Sequence, residues 1–185
     1  MKTELEQIVE GCKKKQPLAQ KLLYEKFAPE MLGVCMRYTH SRDEAQDLLH
    51  DGFIKVFESI GSLKKSSSVR SWMYKVMVNE SLSYLTKLGP VNYMDFDTVD
   101  EEDEEIMAQT DYSPWEGKVF SMEQIVNAIQ MLPDFYRMVF NLHEVEEMDY
   151  PEIAKQMGKS VSTVRSGYSR ACKMLRNILL NYYKL

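Results

Sequence analysis

Apolar residues recur three and four positions apart along most of this chain, the spacing that gathers them on one face of a helix. Near the start, Leu5, Ile8 and Val9 form one such set, Leu22, Leu23 and Phe27 a second, and Met31, Leu32, Cys35 and Met36 a third that ends before His40. Ser41 followed by Glu44 is a capping-box signature, so another helix begins there. It turns Ala45, Leu48, Leu49, Phe53, Val56, Phe57 and Ile60 inward and stops near Gly61. Val76, Met77 and Leu82 continue the apolar spacing after it. Near the other end, Asp149 and Glu152 make a second capping box, with Pro151 tolerated in the first turn. Ile153, Ala154 and Met157 give that helix its apolar face, Gly158 breaks it, and Ser160 can cap the next. On the last helix Val164, Tyr168, Ala171, Leu175 and Ile178 stack into one stripe at roughly 100° per residue. Two helices joined by so short a turn predict a helix-turn-helix. The expected fold class is therefore all-α.

Charge divides the chain. From Gly89 to Gly117 there are ten acidic residues, including the unbroken run Asp100 to Glu105, and no Lys or Arg. Without this segment the formal charge of −5 becomes +5, since 18 acidic residues then face 23 basic ones. A self-repelling stretch with Pro90 and Pro114 and no periodic apolar face reads as an extended, flexible linker. The expected organisation is two small helical domains, 1–88 and 118–185, joined by an acidic linker over 89–117, the second domain containing the helix-turn-helix. Modules of that size hold a helical core but are only marginally stable alone.

Little in the composition suggests chemistry on a substrate. Cys12, Cys35 and Cys172 are isolated and form no CxxC pair, and His40, His50 and His143 lack metal-ligand spacing. No P-loop, HExxH or nucleophile motif is present, so neither an enzyme, a metal nor a cofactor is expected. The amino terminus is polar and no stretch is long and apolar enough for membrane insertion, which makes the cytoplasm the expected compartment. The 13 methionines read as core filler.

Three polar surfaces remain. On the helix after Ser41, Gln46, Asp47, His50 and Asp51 form an outward, partly acidic patch, either a solvated face or a seat for a basic protein partner. Between Gly61 and Lys87, Lys64, Lys65, Arg70 and Lys75 interleave with Trp72, Tyr74 and Tyr84, the combination that attracts phosphate and stacks unpaired bases. Trp72 reads equally well as a structural residue. Ser66, Ser67 and Ser68 can wrap an extruded base or belong to an ordinary flexible loop, and Asn79 can bond a base edge or a buried backbone group. On the last helix Ser162, Ser166, Ser169 and Lys173 lie opposite the apolar stripe, flanked by Arg165, Arg170 and Arg176. Short hydroxyls between cations suit a major groove.

In order along the chain, these parts resemble the group-four, or extracytoplasmic-function, sigma factors of bacterial RNA polymerase in the sigma-70 family. SRDEAQDLLHDGFIKVFESI is similar to their polymerase-binding helix in region two, VRSWMYKVMVNESLSYL to the promoter-melting helix, and LPDFYRMVFNLHEVEEMDYPEIAKQMGKSVSTVRSGYSRACKMLR to region four. The resemblance covers most of the chain. It implies that Asp47, Leu49, His50 and Asp51 dock on the polymerase core. Lys64, Lys65, Ser66, Ser67, Ser68, Arg70, Trp72, Lys75 and Asn79 would contact the melted minus-ten strand. Ser162, Thr163, Arg165, Ser166, Ser169, Arg170 and Lys173 would contact the duplex minus-thirty-five element of promoter DNA. It further implies an acidic linker threading the RNA path and an anti-sigma protein as regulator. The chain departs from the family pattern in carrying His50 for Gln or Glu, Tyr168 for an aliphatic residue and Glu147 for glycine. Gly167 stands mid-helix where a basic residue is usual, at about 1 kcal/mol relative to Ala, so a close neighbour or a locally weak helix is expected there. Two alternatives stay open: a stand-alone helix-turn-helix regulator, which would bind paired half-sites as a dimer, and a sigma-mimicking interaction protein without promoter activity.

Overall fold

A computed structural model describes residues 2–87 and 119–182; the segment expected to be an acidic linker lies outside the described residues. The chain divides into two compact units, Met1–Leu88 and Gly89–Leu185. Among the described residues both are helical, with no strand.

The first unit is built from four helices, α1 (Glu4–Lys13), α2 (Pro17–Met36), α3 (Arg42–Ser59) and α4 (Val69–Lys87). Thr3 and Glu6 close a reciprocal capping box at the start of α1, and Pro17 occupies the first turn of α2, where a missing N–H costs nothing. Ser41 caps α3 by accepting the Glu44 N–H at 3.2 Å, but the expected reciprocal bond does not form. The Glu44 carboxylate instead accepts the His40 N–H at 3.0 Å and the Tyr84 hydroxyl of α4 at 3.4 Å. One carboxylate oxygen thus serves both the backbone just before the cap and a tertiary partner. Leu23, Phe27, Met31, Leu48, Leu49, Phe53, Val56, Met73, Met77 and Leu85 fill the core where α2, α3 and α4 meet. Leu22, expected inward, is 41% exposed. Gly52 of α3 lies against the Met77 side chain, so close that an added Cβ would meet its sulfur.

The second unit contains α5 (Met122–Gln130), α6 (Asp134–Phe140), a π-turn over Asn141–Val145, α7 (Tyr150–Met157) and α8 (Val161–Tyr182). Capping boxes at Ser121/Gln124 and Asp149/Glu152 start α5 and α7. Gly158 ends α7 at φ 64°, a left-handed conformation that glycine adopts without Cβ strain, and Ser160 accepts the Thr163 N–H at 3.0 Å to begin α8. Arg137 is fully buried. Its guanidinium donates to the Gln130 carbonyl at 3.0 Å, to the Leu132 carbonyl at 3.3 Å and to the Asp134 carboxylate, binding the end of α5 to α6.

The buried stripe of α8 is rotated from the one expected. Val164, Ala171 and Leu175 are buried as predicted, but Gly167 and Leu179 join them, while Tyr168 and Ile178 are only half-buried. The cause is α6: the Phe135 ring approaches Gly167 so closely that an added Cβ would stand 2.5 Å from one ring carbon and 3.0 Å from the next. The mid-helix glycine is required by a neighbouring side chain.

Candidate nucleic-acid interface

On α3, Asp47, His50 and Asp51 are exposed on one face, and Ile54, 54% exposed, continues it one turn on. The His50 ring stacks on Tyr24 of α2 at 6.3 Å between centroids, and Tyr24 in turn packs on Phe53 at 4.6 Å. Leu49 does not belong to this surface. It is 3% exposed, because its position on the helix turns it into the core, so its expected docking role is corrected to a structural one.

The stretch between α3 and α4 is more ordered than a flexible polar loop. It consists of two short 3-10 turns, Ile60–Ser62 and Ser66–Ser68, with Leu63 and Val69 buried between and after them. The Lys13 ammonium of α1 donates to the Leu63 carbonyl at 2.6 Å. Anchored in this way, the segment leaves Lys64, Lys65, Ser67 and Ser68 exposed and Ser66 half-buried.

On α4 the helical turn of roughly 100° per residue brings Trp72, Lys75 and Asn79 into one row. Lys75 and Asn79 are exposed and Trp72 is half-buried, so its ring retains an accessible part. Asn79 faces outward, which removes the alternative that it satisfies a buried backbone group. Arg70 is not brought to this row. By the same spacing it starts on the opposite side of α4, and its Nε donates to both carboxylate oxygens of Glu30 on α2, at 2.8 and 2.9 Å. Arg70 is exposed there, but it stands apart from the row of Trp72, Lys75 and Asn79. Tyr74 is likewise engaged within the unit, its hydroxyl accepting from Arg37 at 2.9 Å.

In the second unit, Ser162, Arg165 and Lys173 are exposed and Thr163, Ser166, Ser169 and Arg170 are half-buried, with Ser162, Ser166, Ser169 and Lys173 in one row opposite the buried stripe. Part of the hydroxyl set also serves the helix start: Ser160 Oγ lies 2.8 Å from Ser162 Oγ and 2.7 Å from Thr163 Oγ1, and Ser166 donates to the Thr163 carbonyl at 3.1 Å. Thr163 thereby belongs mainly to the cap.

Beside this row lies an aromatic cluster that periodicity alone does not announce. His143, in the π-turn, stacks on Tyr150 at 4.4 Å and meets the edge of Tyr168 at 4.6 Å, and Phe140 stacks on Tyr168 at 6.5 Å. His143 Nδ1 is 2.9 Å from the Met148 carbonyl, which selects the tautomer that donates there. The Tyr168 hydroxyl donates to Glu144, and burial followed by that carboxylate pushes the phenol far above its ordinary range. Burial also raises the Cys12 thiol to about 11 and the Cys35 thiol to about 12, and raises Cys172, keeping all three protonated near neutrality. They are inert packing groups. Among the described residues no cluster of His, Cys, Asp or Glu could hold a metal ion, and no helix is long and apolar enough to cross a membrane.

Comparison with known proteins matches residues 23–90 to Sigma-70 region 2 and residues 122–175 to Sigma-70, region 4. The chain is 32% identical over 179 residues to the ECF RNA polymerase sigma-E factor of Haemophilus influenzae, covering 94% of this chain and 92% of that protein. It is 29% identical over 172 residues to the RNA polymerase sigma-H factor of Pseudomonas aeruginosa, covering 90% and 89% respectively. Among solved structures, the sigma factor RpoE in complex with the anti-sigma factor NepR from Bartonella quintana aligns with a TM-score of 0.48 at 19% identity, over 87% of this chain and 96% of that one.

Proposed function

From the premise that this chain belongs to the extracytoplasmic-function sigma factors of the sigma-70 family, we infer a two-point grip on promoter DNA. The protein is a sigma factor: it binds RNA polymerase core and promoter DNA and directs promoter-specific transcription initiation. It is not an enzyme, since bond formation belongs to the polymerase. It acts where that polymerase is, in the cytoplasm.

The division of labour follows the two units, taken as functional domains over 1–88 and 118–185 with residues 89–117 between them. The acidic face Asp47, His50 and Asp51, extended by Ile54, docks on the polymerase core. Lys64, Lys65 and the serines Ser66 to Ser68 surround an extruded base of the minus-ten element, while Trp72, Lys75 and Asn79 hold the melted strand by stacking, charge and hydrogen bonding. Arg165, Ser166, Ser169, Arg170 and Lys173, with Ser162, enter the major groove of the duplex minus-thirty-five element. The observation that carries this reading is the row of half-buried Trp72 with exposed Lys75 and Asn79, next in sequence to an anchored serine-lysine segment. A stand-alone helix-turn-helix regulator has no use for such a row. An anti-sigma protein is the regulator we expect, on family membership alone.

Run-off transcription with the matched polymerase core on fragmented genomic DNA, followed by mapping of start sites, tests the reading. Discrete start sites that vanish with Trp72→Ala and Asn79→Ala are expected. Start sites indifferent to both substitutions would reject the minus-ten assignment.

A further inference from the structure

Arg165 is exposed on α8 at the edge of the serine row, and its guanidinium carbon lies 5.6 Å from the centre of the Tyr150 ring. A guanidinium over an aromatic face at this distance is held by the ring quadrupole and loses rotamer freedom before any ligand arrives. Tyr150 is itself held. It is the first residue of α7, His143 stacks on it at 4.4 Å with an interplanar angle of 24°, and Tyr168 tilts against it at 6.0 Å. Neither neighbour is loose, because His143 is tied to the Met148 carbonyl and Tyr168 to the Glu144 carboxylate. The π-turn supports the arrangement by carrying both His143 and Glu144 on a widened helical turn directed at α7 and α8.

We propose that Tyr150 is a positioning residue for base recognition: its ring, clamped between two helices by His143 and Tyr168, presents the Arg165 guanidinium to the major groove in one preset orientation. This rests on the reading of α8 as the minus-thirty-five helix. Bidentate recognition of guanine needs both guanidinium nitrogens aligned with the base edge, so a preset plane favours the correct base over its competitors more than it favours binding in general. Tyr150 acts through Arg165 and makes no demand on the DNA itself.

The test uses the full chain bound to polymerase core and a duplex recovered by enriching a randomised library on that complex. Each base pair of the recovered minus-thirty-five element is then changed singly, and relative affinities are measured for wild type, Arg165→Ala, Tyr150→Leu, Tyr150→Phe and the Arg165→Ala/Tyr150→Leu double variant. Arg165→Ala should flatten the preference at one base pair by about tenfold or more. Tyr150→Leu should flatten the same base pair by about three- to fivefold, and Tyr150→Phe, which keeps the ring face, should stay within about twofold of wild type. The double variant should match Arg165→Ala alone. Equal additional loss from Tyr150→Leu in the presence and absence of Arg165 would mean a scaffold role only and overturn the proposal, as would wild-type discrimination by Tyr150→Leu. No change with Arg165→Ala would reject the reading of Arg165 as a base reader and the proposal with it. Matched thermal melting of the variants separates a folding defect from a recognition defect.

Discussion

In the first unit the helix that carries Trp72, Lys75 and Asn79 meets its neighbour through Met77, whose sulfur lies against Gly52; in the second, the helix that carries Arg165 meets its neighbour through Gly167, against the ring of Phe135. Both contacts need a glycine, but the groups pressing on them differ. A thioether chain has several rotatable bonds and refills space when displaced, whereas a buried phenyl ring moves as a rigid plate. The helix proposed to contact the melted strand, α4, is braced by an adaptable group, and the helix proposed to read the groove, α8, by a stiff one. That difference suits the targets proposed for them: a melted strand has many conformations, while duplex DNA offers base edges at fixed heights and tolerates little shift in a helix that reads them.

The largest expected effect tests whether the second unit's bracing is as rigid as its burial suggests. Arg137→Met removes the fully buried clamp and strands the Gln130 and Leu132 carbonyls, so it should cost about 3 kcal/mol. Hydrogen exchange should show protection lost in α5 to α8 and retained in α2 to α4; loss in both would break the distinction between the units. Next, Arg165→Ala with Lys173→Ala should weaken promoter binding by about 2 kcal/mol and reduce the salt slope by roughly 2, because two cations leave the duplex surface. The same pair should leave reactivity of the melted strand unchanged once binding is saturated, and Trp72→Ala should do the reverse.

Gly167→Ala sharpens the comparison most directly. Helix propensity favours alanine by about 1 kcal/mol, but the Cβ would collide with Phe135, and overpacking of a rigid ring costs more. A net loss of about 1 to 2 kcal/mol is expected, against a smaller loss for Gly52→Ala, where Met77 can move. Equal losses in denaturant melts would remove the contrast. Smaller still is Glu147→Gly. Glu147 sits at φ 56°, and relieving a non-glycine residue of the left-handed region should stabilise the second unit by about 0.5 to 1 kcal/mol after the added freedom of the unfolded chain is subtracted. Last, Arg70→Ala should change promoter melting less than twofold, since its guanidinium is paired with Glu30 on the other side of α4; a defect as large as that of Lys75→Ala would return Arg70 to the strand-contacting set.

Locally encoded features were legible before any coordinates. Asp149 with Glu152, Gly158 and Ser160 form the capping, break and recapping that their spacing announces, because each interaction spans at most four residues. The helical class and the polar row of α8 follow from the same short-range periodicity, while the family was legible through the resemblance of three motifs in order. Only the tertiary structure decided the rest. It brought Tyr84 to the Glu44 carboxylate, paired Arg70 with Glu30, buried Arg137 across a turn and set Tyr150 beneath Arg165. In most of these cases the deciding partner lies on another helix. A one-dimensional pattern states which face a residue occupies, but the identity of the group that meets that face depends on how helices distant in sequence pack. The mid-helix glycine is the plainest instance: sequence leaves open whether Gly167 marks a close neighbour or a locally weak helix, and the packed structure supplies the neighbour, the Phe135 ring, which comes too near for a Cβ.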